Sequence, residues 1–106
     1  MEVLEKPELL DTDTQAEALA VRALIFAARK DGKQARALAE QAAALAGKSE
    51  EPSILGLVNF GLAAALWADG DRARALAAAD RALESVAGAE DAFLQGRIVG
   101  WKKGKE

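Results

Sequence analysis

Asp31-Gly32-Lys33-Gln34-Ala35-Arg36-Ala37-Leu38-Ala39 and Asp69-Gly70-Asp71-Arg72-Ala73-Arg74-Ala75-Leu76-Ala77 are the two stretches that decide the fold. Laid over one another, they share Asp, Gly, Ala, Arg, Ala, Leu and Ala at an offset of 38 residues, Asp31 to Asp69. The same offset pairs Leu19 with Leu57, Leu24 with Leu62, Ala27 with Ala65, Ala44 with Ala82 and Leu45 with Leu83. Self-similarity at such a period marks stacked supersecondary units. In each stretch an Asp-Gly turn opens a run rich in Ala and Leu. Each unit therefore reads as helix, turn, helix.

The rest of the chain agrees. It holds 26 Ala and 14 Leu, against five Val, three Ile and two Thr. Ala and Leu favour helices, and strands want the residues that are scarce here. The expected class is all-α. A length of 106 residues with 51% apolar content makes one domain with one core. Small Ala faces predict close helix packing rather than an aromatic interior.

The same inventory narrows the chemistry. There is no Cys, no His and no Tyr. That removes disulfides, thiolate metal sites, Cys nucleophiles and the commonest general base. The carboxylate pairs Glu50-Glu51 and Glu90-Asp91 sit at predicted helix starts, where acids suit the helix dipole. Asp69-Gly70-Asp71 has too few oxygen ligands for a calcium loop. Gly56, Gly61, Gly96 and Gly100 follow no strand, so no phosphate cradle is read. Gly96 and Gly100 have the spacing of small residues at a close helix contact. The expectation is a protein that is not an enzyme, with no cofactor, no metal and no small-molecule substrate.

The net charge of −3 does not suggest nucleic-acid binding. Its distribution is uneven. Glu2, Glu5, Glu8, Asp11, Asp13 and Glu17 face only Lys6 near the start, and Arg97, Lys102, Lys103 and Lys105 crowd the end. Macrodipole complementation explains both; a basic tail for an acidic partner is the other reading. No basic region precedes an apolar run at the N-terminus. The longest apolar stretch, Ile54–Ala68, is too short to span a bilayer. A cytoplasmic protein without a membrane partner is expected.

Element by element, residues 1–13 read as a lead-in containing Pro7. A single helical-repeat domain covers 14–103, with hairpins 14–47 and 52–88 and a last helix over 89–101. Residues 102–106 read as a basic tail. Thr14-Gln15-Ala16-Glu17 has capping-box spacing, so the first helix is expected from about Gln15 to Arg29 or Lys30. The second runs Lys33–Ala46 to Gly47, the third Pro52–Ala68, the fourth Arg72–Ala87 to Gly88. The fifth reaches Trp101, with fraying near Gly104.

At Gly70-Asp71, Ala75, Ala82-Leu83, Leu62 and Ala63 the sequence resembles the tetratricopeptide repeat (TPR) family. Gly32, Ala37 and Ala44-Leu45 match the same places in the first unit. Asn59 and Leu66 stand where that family has aromatics, and its terminal Pro is missing. The resemblance covers roughly residues 15–101. It implies two helix–turn–helix repeats plus a C-terminal capping helix, a TPR-like α-solenoid fragment. The competing architecture is an Ala-rich bundle, duplicated once, without a groove.

In the resembled family the first helix of each hairpin lines a concave face. That implies Arg22, Phe26, Asn59 and Phe60 as partner-binding residues. Arg22 alone stands at a place comparable to the family's carboxylate-clamp cations, and Phe26 replaces an Asn there, so no clamp is expected. Ile54, Leu55, Leu57, Val58, Phe60, Leu62, Leu66 and Trp67 make the third helix apolar nearly all round. Either neighbours cover it, or part of it stays open for a partner. The expected function is a non-catalytic adaptor that binds a protein partner, as a peptide or a helix, through an apolar groove on the first and third helices. The alternative is a structural homo-oligomer, most simply a homodimer, that buries the third helix in a self-interface. Trp67 reads as a core lid, and Trp101 as packed on the fourth helix or exposed as an anchor.

Overall fold

Asp31 and Asp71 each do two jobs, and together they set the architecture. The computed structural model describes residues 12–47, 49, 51–89 and 91–105. At the end of α1 (Thr12–Ala28) the Lys30 amide donates to the Ala27 carbonyl and the Asp31 amide to the Phe26 carbonyl, both at 2.9 Å. This nested pair ends a helix by turning one residue left-handed. That residue is Lys30, at φ 65°. Asp31 then caps α2 (Gly32–Ala46), its carboxylate accepting from the Gln34 amide at 3.3 Å.

The second hairpin repeats the device. After α3 (Pro52–Ala68), the Gly70 amide donates to Trp67 at 3.1 Å and the Asp71 amide to Leu66 at 2.8 Å. Gly70 is the left-handed residue, at φ 93°. Asp71 accepts from the Arg74 amide at 3.4 Å and opens α4 (Arg72–Ala89). Asp91 caps α5 (Ala92–Lys105) in the same way, accepting from Leu94 at 3.1 Å. Among the described residues there are five helices and no strand, so the chain is all-α, as its composition implies.

The structural repeat is 40 residues, Asp31 to Asp71, and not the 38 that the Asp-Gly match predicts. Lys30 is the counterpart of Gly70, and Ala35 and Ala42 are the counterparts of Ala75 and Ala82. All four of these alanines are fully buried. Ala37 and Ala44, which the 38-residue alignment selects, are exposed. The two Asp-Gly pairs do different work. Gly70 takes a left-handed turn. Gly32 lies in the first turn of α2, where an added Cβ would stand 2.7 Å from the backbone of Ala68 and Asp69. Asp69, the extra acid of the second turn, accepts from Arg36 at 3.0 Å and ties the two hairpins together.

Alanine fills the interior. Ala16, Ala20 and Ala23 of α1 meet Ala39, Ala42 and Ala46 of α2, and Ala75, Ala78, Ala79 and Ala82 of α4 close on α3. Gly61 of α3 packs on the backbone of Ala20, a close approach of α1 and α3. The third helix packs on α1, α2, α4 and, more lightly, α5. The principal extents are 48 × 31 × 20 Å.

Several boundaries differ from expectation. The first helix starts at Thr12, which puts Asp13 in its first turn, where the dipole favours an acid. The fourth continues through Gly88 to Ala89. The expected basic tail is helical to Lys105 and does not fray at Gly104: Lys102 bonds Asp80, and Lys105 lies over Trp67 and Trp101. Gly96 and Gly100 meet nothing, so they mark no close helix contact. Residues 1–11 of the lead-in, Glu50 and Glu90 lie outside the described residues.

Candidate functional site

The first helices of the hairpins, α1 and α3, together with α5, frame an apolar groove. Its walls are Val21, Leu24 and Ile25 of α1 and Phe93, Leu94 and Arg97 of α5, and its floor is Leu57 and Phe60 of α3. The space is about 380 Å³. Val21 is 43% exposed, Ile25 45% and Phe93 76%. Large apolar side chains grouped around one open space mark a surface suited to a partner or ligand.

Helical spacing explains why α1 supplies a wall. Ala16, Ala20 and Ala23 form one stripe and are buried. Val21, Leu24, Ile25 and Ala28 form a second stripe, turned from the first by about a third of a turn. The small residues pack inward and the large ones are left at the surface. That second stripe was the available signal for the groove. An Ala stripe beside a Val/Leu/Ile stripe invites the opposite assignment, with the large residues placed in the core.

A wider cavity of about 650 Å³ adjoins the groove and shares Leu24, Ala28, Phe60 and Arg97 with it. Its floor is aromatic. Phe60 and Trp101 stand edge to face with centroids 6.1 Å apart, and Trp67 and Trp101 do so at 6.0 Å. Trp101 thus packs on α3 rather than standing free. Arg72 lies 5.0 Å from the Trp67 ring centroid, and Lys105 lies 5.5 Å from both Trp67 and Trp101.

Of the four residues expected at a partner site, the structure brings only Phe60 to the groove, as a floor residue 4% exposed. Arg22 is exposed but lines neither space. Phe26 packs into the α1–α2 contact with Ala23, Leu38 and Ala39, under Arg29 at 5.9 Å. Asn59 donates its side-chain amide to the Leu55 carbonyl of its own helix at 2.9 Å. Three of the four therefore lie outside the groove. The residues that sequence reasoning missed are Val21, Ile25, Phe93 and Arg97.

Charge chemistry is confined to the surface. Arg36 bonds Glu40 at 3.1 Å as well as Asp69. These bonds, first that to Glu40 and then that to Asp69, hold the guanidinium still more firmly protonated than usual. Among the described residues no cluster of three or more acidic groups is placed to hold a metal ion. Among them, too, no helix is long and apolar enough to cross a membrane. Compared with protein-family models, curated proteins and solved structures, the chain matches none.

Proposed function

We propose that this chain is a non-catalytic, TPR-like adaptor that binds a peptide or helix of a protein partner in the groove between α1 and α5. One observation carries the reading: Val21 and Ile25, on the helix that opens the first hairpin, and Phe93, on the last helix, are exposed around a shared apolar space. An amphipathic partner would bury these side chains, and each large side chain fully covered contributes roughly 1.5–3 kcal/mol before ordering costs. The cytoplasm, where a Cys-free helical adaptor is at no disadvantage, is the proposed compartment. The alternative is a homo-oligomer that buries the third helix, whose Leu57 and Phe60 floor the same groove, in a self-interface.

A displayed peptide library, selected on the full chain and counter-selected on the Phe93→Asp variant, tests this. Selected peptides should carry apolar anchors, and their binding should shift the NMR signals of Val21, Leu24, Ile25 and Phe60. Selected peptides that bind Phe93→Asp as well as the parent would overturn it. So would a parent protein that is already a dimer through this groove by light scattering.

A further inference from the structure

The cations beside the groove specify the chemistry of its occupant. Lys30, Arg72, Arg97 and Lys105 line the wider cavity, and no acidic residue does. Among the described residues none of the four takes part in an ion pair, whereas the neighbouring Arg36, Arg74 and Lys102 are each bound to an Asp. Arg72 and Lys105 rest on tryptophan rings, and Arg97 lies 5.8 Å from the Phe93 ring centroid. A ring face orients a cation without neutralising it. In a chain of net charge −3 this is a local reversal of sign.

The other end of the same side of α1 is acidic. Asp13, Glu17 and Glu51 line a shallow space with Thr12, Thr14, Ser53 and Ile54. Asp13, Glu17, Val21, Leu24 and Ala28 recur at helical spacing on one face. That face therefore runs from acids, through apolar residues, to the cavity that Leu24 and Ala28 share with the cations of the α1–α2 turn, α4 and α5.

We propose that the groove takes a peptide segment in which an apolar anchor is joined to a short acidic run. The anchor lies among Val21, Ile25, Phe60 and Phe93, and the carboxylates reach Lys30, Arg72, Arg97 and Lys105. This rests on the peptide-groove reading above and adds the charge and direction of the ligand. A uniform polyanion, such as a nucleic acid or an anionic bilayer, would meet Asp13, Glu17 and Glu51 at the other end. A short peptide is acidic at one end only.

The test uses the full chain and two synthetic peptides, both acetylated and amidated. One joins a Leu/Phe anchor to Asp and Glu residues; its control has Asn and Gln in their places. Trp67 and Trp101, the only tryptophans of the chain, report binding by their emission. The acidic peptide is expected to bind about tenfold more tightly than the control at low salt. Molar salt should remove most of that preference and leave the control unchanged. Arg72→Gln combined with Lys105→Gln, both outside the apolar groove, should abolish the preference while the control still binds. Should that variant unfold, the comparison of the two peptides on the parent chain decides alone. Equal binding of the two peptides overturns the proposal and leaves the peptide groove standing. An oligonucleotide or phosphatidylserine vesicles binding more tightly than the acidic peptide overturns it too. Acid preference seen only after deletion of residues 1–11 assigns the cations to the chain's own acidic lead-in and overturns a partner in trans. If neither peptide binds, the groove reading itself falls.

Discussion

Ala35 and Ala75 are one position in two hairpins, and both are fully buried where the second helix meets the first. Replacing either with Leu overpacks a contact built for a methyl group, at a cost of about 1–3 kcal/mol. Ala37→Leu, two residues on and exposed, should leave a thermal melt nearly unchanged. A melt in which Ala37→Leu is the damaging change and Ala35→Leu the silent one would restore the 38-residue register. Lys30 is the second informative residue. It holds φ 65° where the other hairpin has Gly70 at φ 93°. A side chain in that region carries strain that glycine avoids. Lys30→Gly is expected to stabilise the chain by about 0.5–1 kcal/mol, and Gly70→Ala to destabilise it by about the same, in chemical denaturation.

At the scale of the element, α5 is the piece least committed to the core. Ile98 is its only fully buried residue among those described, while Leu94 and Trp101 are partly covered and Phe93 is exposed. Ile98→Ala should therefore cost about 2–4 kcal/mol and loosen the contact of Trp101 with Phe60 and Trp67. The check is a denaturant melt followed by tryptophan emission. Phe93→Asp on the same helix should change stability by less than about 0.5 kcal/mol, because a side chain already in water loses little there. That contrast separates a residue that holds α5 in place from one that α5 holds out for a partner. A Phe93→Asp variant that unfolds would show the ring to be part of the core.

Across the whole molecule, the two hairpins are joined by apolar packing on α3 and by the Arg36 link to Asp69. Arg36 has its pKa raised, so the stability it adds is fully present below its ordinary unfolded value and fades only as pH rises through the folded one. Arginine titrates far into alkali, and the chain has no His. The melting temperature should accordingly stay flat between pH 6 and 8. A pronounced slope in that window would mean that a titrating group, unseen in the fold, governs stability.

What the sequence determined by itself is the class and the punctuation. An excess of Ala and Leu leaves only helices, and Asp, Gly and Pro residues mark where they stop and start. Pro52–Ala68 is found with the expected bounds for that reason. The charge asymmetry was legible too, although its basic part proved to be the last turns of α5 and not a tail. Register was not legible. Two Asp-Gly pairs are identical in letters, but only backbone hydrogen bonding shows that Asp71, and not Asp69, is the counterpart of Asp31. Nor was the groove. Helical periodicity gives two apolar stripes on α1, and nothing local says which one faces its neighbours. Tertiary packing chose the alanines, because only small side chains let α1 approach α2 and α3 so closely. The same choice left Val21 and Ile25 at the surface, facing Phe93 across the groove.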